Sequence, residues 1–253
     1  MEVPVGYSER MPLVASLCTA AGLALVHLFA GKLRFLGGIP RSRWLSMAGG
    51  VSVAYVFVHL LPELSEHQDV LAGAVTQALS FLERHVYLVA LLGLSTFYGL
   101  ERLARASRRY RRDAGGPDRT SSTVFWLHIA SFGLYNALIG YLLHRVRPGD
   151  ASLLFFFLAM ALHFVVNDYG LREHHKALYT DYGRRLLAAA VFLGWGIGLL
   201  VTLSVVMLAV LMAFLAGGVI LNVLKEELPQ ERESRFGAFA FGAAGYAMLL
   251  LLQ

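Results

Sequence analysis

The chain holds one cysteine, Cys18, in 253 residues, which excludes an internal disulfide and any multi-thiolate metal centre. Charge is scarce too: Asp, Glu, Lys and Arg together make up 15% of the residues. There is no P-loop, no HExxH and no GxSxG, so nothing points to nucleotide hydrolysis or to a metallo- or serine-hydrolase. The first twelve residues carry Glu2, Glu9 and Arg10 where a signal peptide would have a basic segment and a cleavage site, so the expectation is an N-terminus running directly into a first span. What fills the chain is apolar surface. Hydrophobic residues reach 57% and the mean hydropathy is +0.59, more than a soluble domain of this length carries. The chain reads as an all-α polytopic membrane protein.

About 20 apolar residues cross a bilayer core. Eight such stretches are expected: Leu13 to Phe35, Leu45 to Leu64, His85 to Leu103, Val124 to Leu143, Ala151 to Gly170, Leu186 to Leu203, Val205 to Leu224 and Phe236 to Leu252. The run from Leu186 to Leu224 is nearly twice too long for one span at 1.5 Å per residue, which requires a short turn near Thr202, Leu203 and Ser204. Of the 22 Lys and Arg residues, all but Arg10, Arg84, Arg145 and Arg147 fall in alternate loops, so the positive-inside rule predicts eight spans with both termini outside a plasma or inner cell membrane. The net charge of +5 is thereby a matter of topology and lipid contact, with no nucleic-acid-binding fold beside it. The longest basic connection, 104–122, reads as a flexible cytoplasmic loop ending in Gly115, Gly116 and Pro117.

One stretch breaks the apolar pattern. Between Met160 and Gly170 the fifth span carries His163, Asn167 and Asp168, and an ionisable group at that depth costs roughly 2.5–3.5 kcal/mol unless it has a partner, a cavity or a ligand. His163 and Asn167 share a helix face, while Asp168 lies about 140° round from His163, so other helices must complete any site. A second pattern is an internal repeat. Ala48-Gly49-Gly50-Val51 leads to His59 and Pro62-Glu63 in the second span; Ala216-Gly217-Gly218-Val219 leads to Glu226-Glu227 and Pro229 in the seventh. Five spans separate the two, so they cross in opposite directions, which is the mark of an inverted repeat around a central pair. Small-residue packing faces are the alternative reading of the same tetrads. The expected layout is 3+2+3: a first triad at 13–103, the basic loop 104–122, a central pair at 124–170 and a second triad at 186–252.

On these residues the chain resembles the ZIP (Zrt/Irt-like) family of divalent metal transporters. The matches are Ala48-Gly49-Gly50 leading to His59-Leu60-Leu61-Pro62-Glu63, and Ala216-Gly217-Gly218 leading to Glu226-Glu227-Leu228-Pro229. The family's fourth-helix HNxxDG falls on Tyr135 to Gly140, which keeps Asn136 and Gly140 and loses the His and Asp. Its fifth-helix HExPHExG falls on His163 to Gly170, with Phe164 and Val166 in place of the acid and the proline, Asn167 for the second His and Asp168 for the Glu. The resemblance implies movement of zinc, iron or manganese toward the cytoplasm, the ion being cargo and not a tightly bound cofactor, with zinc as the leading candidate. It implies a metal site at Asn136, His163, Asn167 and Asp168, an entrance at His59 and Glu63, and an exit at Glu226, Glu227, His174 and His175. One imidazole, two carboxamides and one carboxylate make a single-metal set, thinner than the family's two-metal centre. The substitutions at Tyr135, Ile139 and Phe164 equally fit a diverged scaffold or sensor that no longer transports. Solvated faces are the alternative for His174 and His175, and the glycines of spans six and eight serve either internal packing or a homodimer face.

Overall fold

The computed structural model describes residues 13–32, 43–62, 64–65, 86–144, 150–227 and 235–252. Among these residues the chain is helical throughout, with no strand. Eight helices follow in order: α1 (Leu13–Phe29, continued by a 3-10 turn Ala30–Lys32), α2 (Arg43–Tyr55, continued by a π turn Val56–Leu60), α3 (Val86–Asp113), α4 (Ser122–Leu142), α5 (Asp150–His175), α6 (Arg184–Leu200, entered through a π turn Tyr179–Gly183), α7 (Val205–Glu227) and α8 (Phe236–Leu251). Five stretches are long and apolar enough to cross a membrane: Leu13–Lys32, Val86–Asp113, Ser122–Leu142, Leu153–His175 and Tyr179–Leu200. These helices fit an integral membrane protein, and their surfaces agree, since Leu134, Leu193, Leu200 and Phe241 stand exposed.

The boundaries follow local chemistry. Ser121 caps α4 by accepting from the Val124 amide. The break between α6 and α7 falls at 201–204, where Val201 is extended, the Leu203 amide donates to the Tyr141 hydroxyl and Ser204 caps the Met207 amide. The basic segment differs from expectation. Instead of a loop from residue 104, α3 continues through Arg108, Arg109, Arg111 and Arg112 to Asp113, because Leu, Ala and Arg are strong helix formers. It stops where Gly115 takes φ +73°, with the Gly116 amide on the Arg111 carbonyl and the Gly115 amide on that of Arg112. That is a Schellman end, and it needs the left-handed residue glycine supplies without strain.

The tightest neighbours are α2 with α8, α3 with α7, and α4 with α6. Each pair is closed by reciprocal glycines. A Cβ on Gly50 would strike the Phe239 carbonyl and one on Gly242 that of Met47; Gly93 and Gly217 lie against Phe214 and Ala90; Gly140 and Gly194 lie against Val191 and Ala137. Backbone thus rests on backbone in all three, the small-residue mode of membrane helix association. The remaining helices, α1 and α5, pack on one another differently, with Gly22 of α1 facing the ring of Phe157. The α4–α5 meeting is carried chiefly by side chains, with a buried core of Tyr135, Ile139, Met160 and Phe164 around it.

Candidate functional site

The polar centre begins at the C-terminal half of α1. Arg172 of α5 donates to the Gly31 carbonyl at 2.9 Å and Arg184 to that of Leu28 at 3.2 Å, satisfying orphan acceptors at the end of α1 and fixing its height. Trp195 of α6 donates to Ser16 at 3.1 Å near the other end. So held, α1 presents a fully buried His27 to the interior, stacked on Phe164 with ring centroids 4.3 Å apart.

His27 joins two of the expected site residues. Its Nδ1 lies 2.8 Å from Asp168 Oδ1 and its Nε2 lies 3.2 Å from Asn136 Oδ1. The Asn136 amide nitrogen donates to the Phe132 carbonyl at 2.8 Å, which turns the amide oxygen toward the ring. Both imidazole nitrogens therefore face oxygens. The ring thus bridges a carboxyl group and a carboxamide oxygen. Among the described residues two buried atoms here lack a partner, Asp168 Oδ2 and the Tyr179 hydroxyl that faces its carboxylate, and next in the chain both polar atoms of the buried Asn167 amide are also unmatched. Each such atom left unmatched costs about 1–3 kcal/mol. Asp168 also lines a crevice of about 10 Å³ with Gly31, Arg172 and Tyr179, room for about one water.

His163 does not join this group. It is buried, and its Nε2 shares a hydrogen bond with the Tyr135 hydroxyl at 3.0 Å within a ring cluster that includes Phe97 and Phe132. The reason is helical phase. Tyr135 and Asn136 are consecutive and diverge by about 100° on α4, as His163 and Asp168 diverge by about 140° on α5, so one couple meets across the α4–α5 seam and the other closes on α1. The four residues expected as one ligand set are thus split in two, and His27, absent from the expectation, links Asn136 to Asp168. Its signal was present in the sequence, as the one basic or acidic side chain between Leu13 and Gly31, and such a residue within a span demands a partner.

Of the expected exit residues, His174 and His175 are not on a solvated face. His174 and His175 are buried, about 18 Å along α5 from His163 at 1.5 Å per residue. His175 meets the Thr120 hydroxyl through Nδ1 and His128 Nδ1 through Nε2, the latter at 2.8 Å. Thr120 donating to His175 and His175 to His128 satisfies both rings in their neutral form. His174 donates to Glu101 of α3 at 2.9 Å, and the same carboxylate accepts from Arg105 and from Lys225 of α7, each at 2.9 Å. Glu101 is thereby a charged pin between three helices. Glu226 and Glu227 close α7, but their side chains, like Glu63 of the expected entrance, lie outside the described residues. His59 is exposed on the π turn after α2, its ring 5.2 Å from that of Tyr55.

No group of three or more His, Cys, Asp or Glu side chains placed to hold a metal occurs among the described residues. No protein-family model matches the chain, and no curated protein matches it at a significant level.

Proposed function

We propose that this protein carries a divalent cation across a membrane through the polar centre that α1, α4 and α5 share, in the manner of a ZIP-like secondary transporter. The observation that carries this reading is the buried, unmatched Asp168 Oδ2 on a carboxylate that the His27 ring links to the Asn136 carboxamide, with the unmatched amide of Asn167 next in the chain. Ionisable groups at this depth mark ion pathways by default. Oxygens with one imidazole suit zinc, iron or manganese held weakly, with water completing the shell. Weak holding favours release. A cation arriving among these oxygens takes the place of the His27 ring beside Asp168, so His27 acts as the resident partner that cargo displaces. The His163–Tyr135 couple is not needed for this step.

The 3+2+3 layout is part of the proposal. Exchanging α2 with α7 and α3 with α8 maps the α2–α8 pair onto α7–α3, which supports an inverted repeat. The charge asymmetry of the loops supports termini outside and movement toward the basic, cytoplasmic side.

The test is flux into liposomes that contain a dye responsive to divalent ions. Wild type passes zinc, iron or manganese; Asp168→Asn stops it; His163→Ala leaves it within about twofold. Loss of flux in His163→Ala with Asp168→Asn active would move the pathway to the α4–α5 seam and overturn this site. A second reading, a scaffold or sensor that does not transport, is favoured by one observation: His27 already spans Asp168 and Asn136, which closes the site without metal. A wild-type protein showing neither flux nor saturable metal binding, and no rise in melting temperature with metal, establishes that reading instead.

A further inference from the structure

Beside the Glu101 pin, α3 and α7 enclose a cavity of about 690 Å³ that the transport reading does not use. Arg102, Arg105 and Arg109 enter it from α3 and Lys225 from α7, against two acids, Glu101 and Asp113. Arg105 and Lys225 are engaged with Glu101, but the guanidiniums of Arg102 and Arg109 pair with no acid among the described residues. Among the described residues four cations stand against two acids, and two of those cations have no acid partner there.

The depth of the cavity defines its ligand. The 28 residues of α3 run about 42 Å, against a hydrocarbon core of about 30 Å, so a helix that starts at the outer boundary leaves the core close to Arg105. The cavity straddles that level. Tyr98 and Leu221 supply its apolar wall on the core side, and the arginines stand at headgroup height on the other. A soluble anion would have no use for the apolar wall, whereas a phospholipid places an acyl chain and a phosphate across this boundary. Basic pockets between membrane helices on the cytoplasmic side bind anionic headgroups, and a guanidinium matches phosphate in two-pronged geometry. We infer that this cavity is a binding site for the phosphate headgroup of an anionic phospholipid, with Arg102 and Arg109 as its principal contacts. The inference needs only that the chain lies in a bilayer, and it stands or falls separately from cation movement.

Native mass spectrometry of the full chain in detergent tests it, with phosphatidylglycerol, phosphatidylcholine and inorganic phosphate as separate probes. Phosphatidylglycerol binds at least tenfold more tightly than phosphatidylcholine, and inorganic phosphate up to millimolar concentration does not displace it. The double variant Arg102→Gln/Arg109→Gln loses that preference, while Arg112→Gln, which removes a charge from the same helix outside the cavity, keeps it. Both Arg102 and Arg109 are exposed, so the double variant keeps its helical circular dichroism and its melting temperature without added lipid. Equal binding of the two lipids, tight binding of inorganic phosphate with no lipid preference, or an unchanged preference in the double variant would each overturn the inference.

Discussion

At the scale of single residues, His27→Phe preserves the stack on Phe164 but strands Asp168 Oδ1 and Asn136 Oδ1 in the interior without a donor. Breaking a buried pair on one side costs about 3–5 kcal/mol, and thermal unfolding in detergent should show a drop of that size. If the site accepts cargo, millimolar zinc or manganese restores part of the loss, because the ion then serves as the missing partner. Asp168 and Asn136 were legible in the sequence, since polar groups in an apolar run stand out. Their grouping with His163 was not, because one-dimensional spacing gives the phase of each residue on its own helix but not which neighbour that phase meets. His27 escaped for the same reason: its partners lie 109 and 141 positions away.

At the scale of elements, α3 shows how a charged segment becomes rigid. Gly115→Ala forces a Cβ into a left-handed position, with a cost of about 1–2 kcal/mol, and amide hydrogen exchange at 110–116 should rise accordingly. Deeper in the same helix, Glu101→Gln removes the charge on which Arg105, His174 and Lys225 converge. Left with like-charged neighbours, the α3–α5–α7 junction should lose about 3–5 kcal/mol, read as a lower melting temperature. After the helix ends, Arg108 bonds Asp118 and holds its carboxyl below the ordinary 3.8. The contribution of this pair is complete above pH 3.8 and disappears as acid protonates Asp118 through its lowered value. Wild type and Asp118→Asn should therefore differ slightly in melting temperature at neutral pH and converge in strong acid. The glycines that end α3 were visible in the sequence; its length was not, because arginines beyond a span are equally at home in a loop and on a solvated helix.

For the whole molecule, the three glycine-closed pairs set the framework. Gly217→Val places two methyl groups where the Ala90 carbonyl sits, and overpacking of this kind costs typically about 1–3 kcal/mol. Gly196→Ala meets nothing nearby and should be neutral or gain about 0.5–1 kcal/mol from helix propensity; paired melting curves of the two variants compare them directly. The two Ala-Gly-Gly-Val tetrads marked α2 and α7 as candidates for small-residue contact surfaces, and Gly50 and Gly217 serve as such. The role of α1 as third contributor to the polar centre was hidden, because a repeat seen in sequence says which helices correspond and not which ones converge.

The seam between α1 and α5 differs from the three locked pairs in its mechanics. A phenyl ring that can swivel separates Gly22 from its neighbour, whereas carbonyls against Cα atoms hold the other couples in register. His27 and Asp168 stand on opposite sides of that seam, as do Gly31 and Arg172. Sliding along it would pull both bonds apart, so the joint with the least backbone interlock is the one that polar pairs hold.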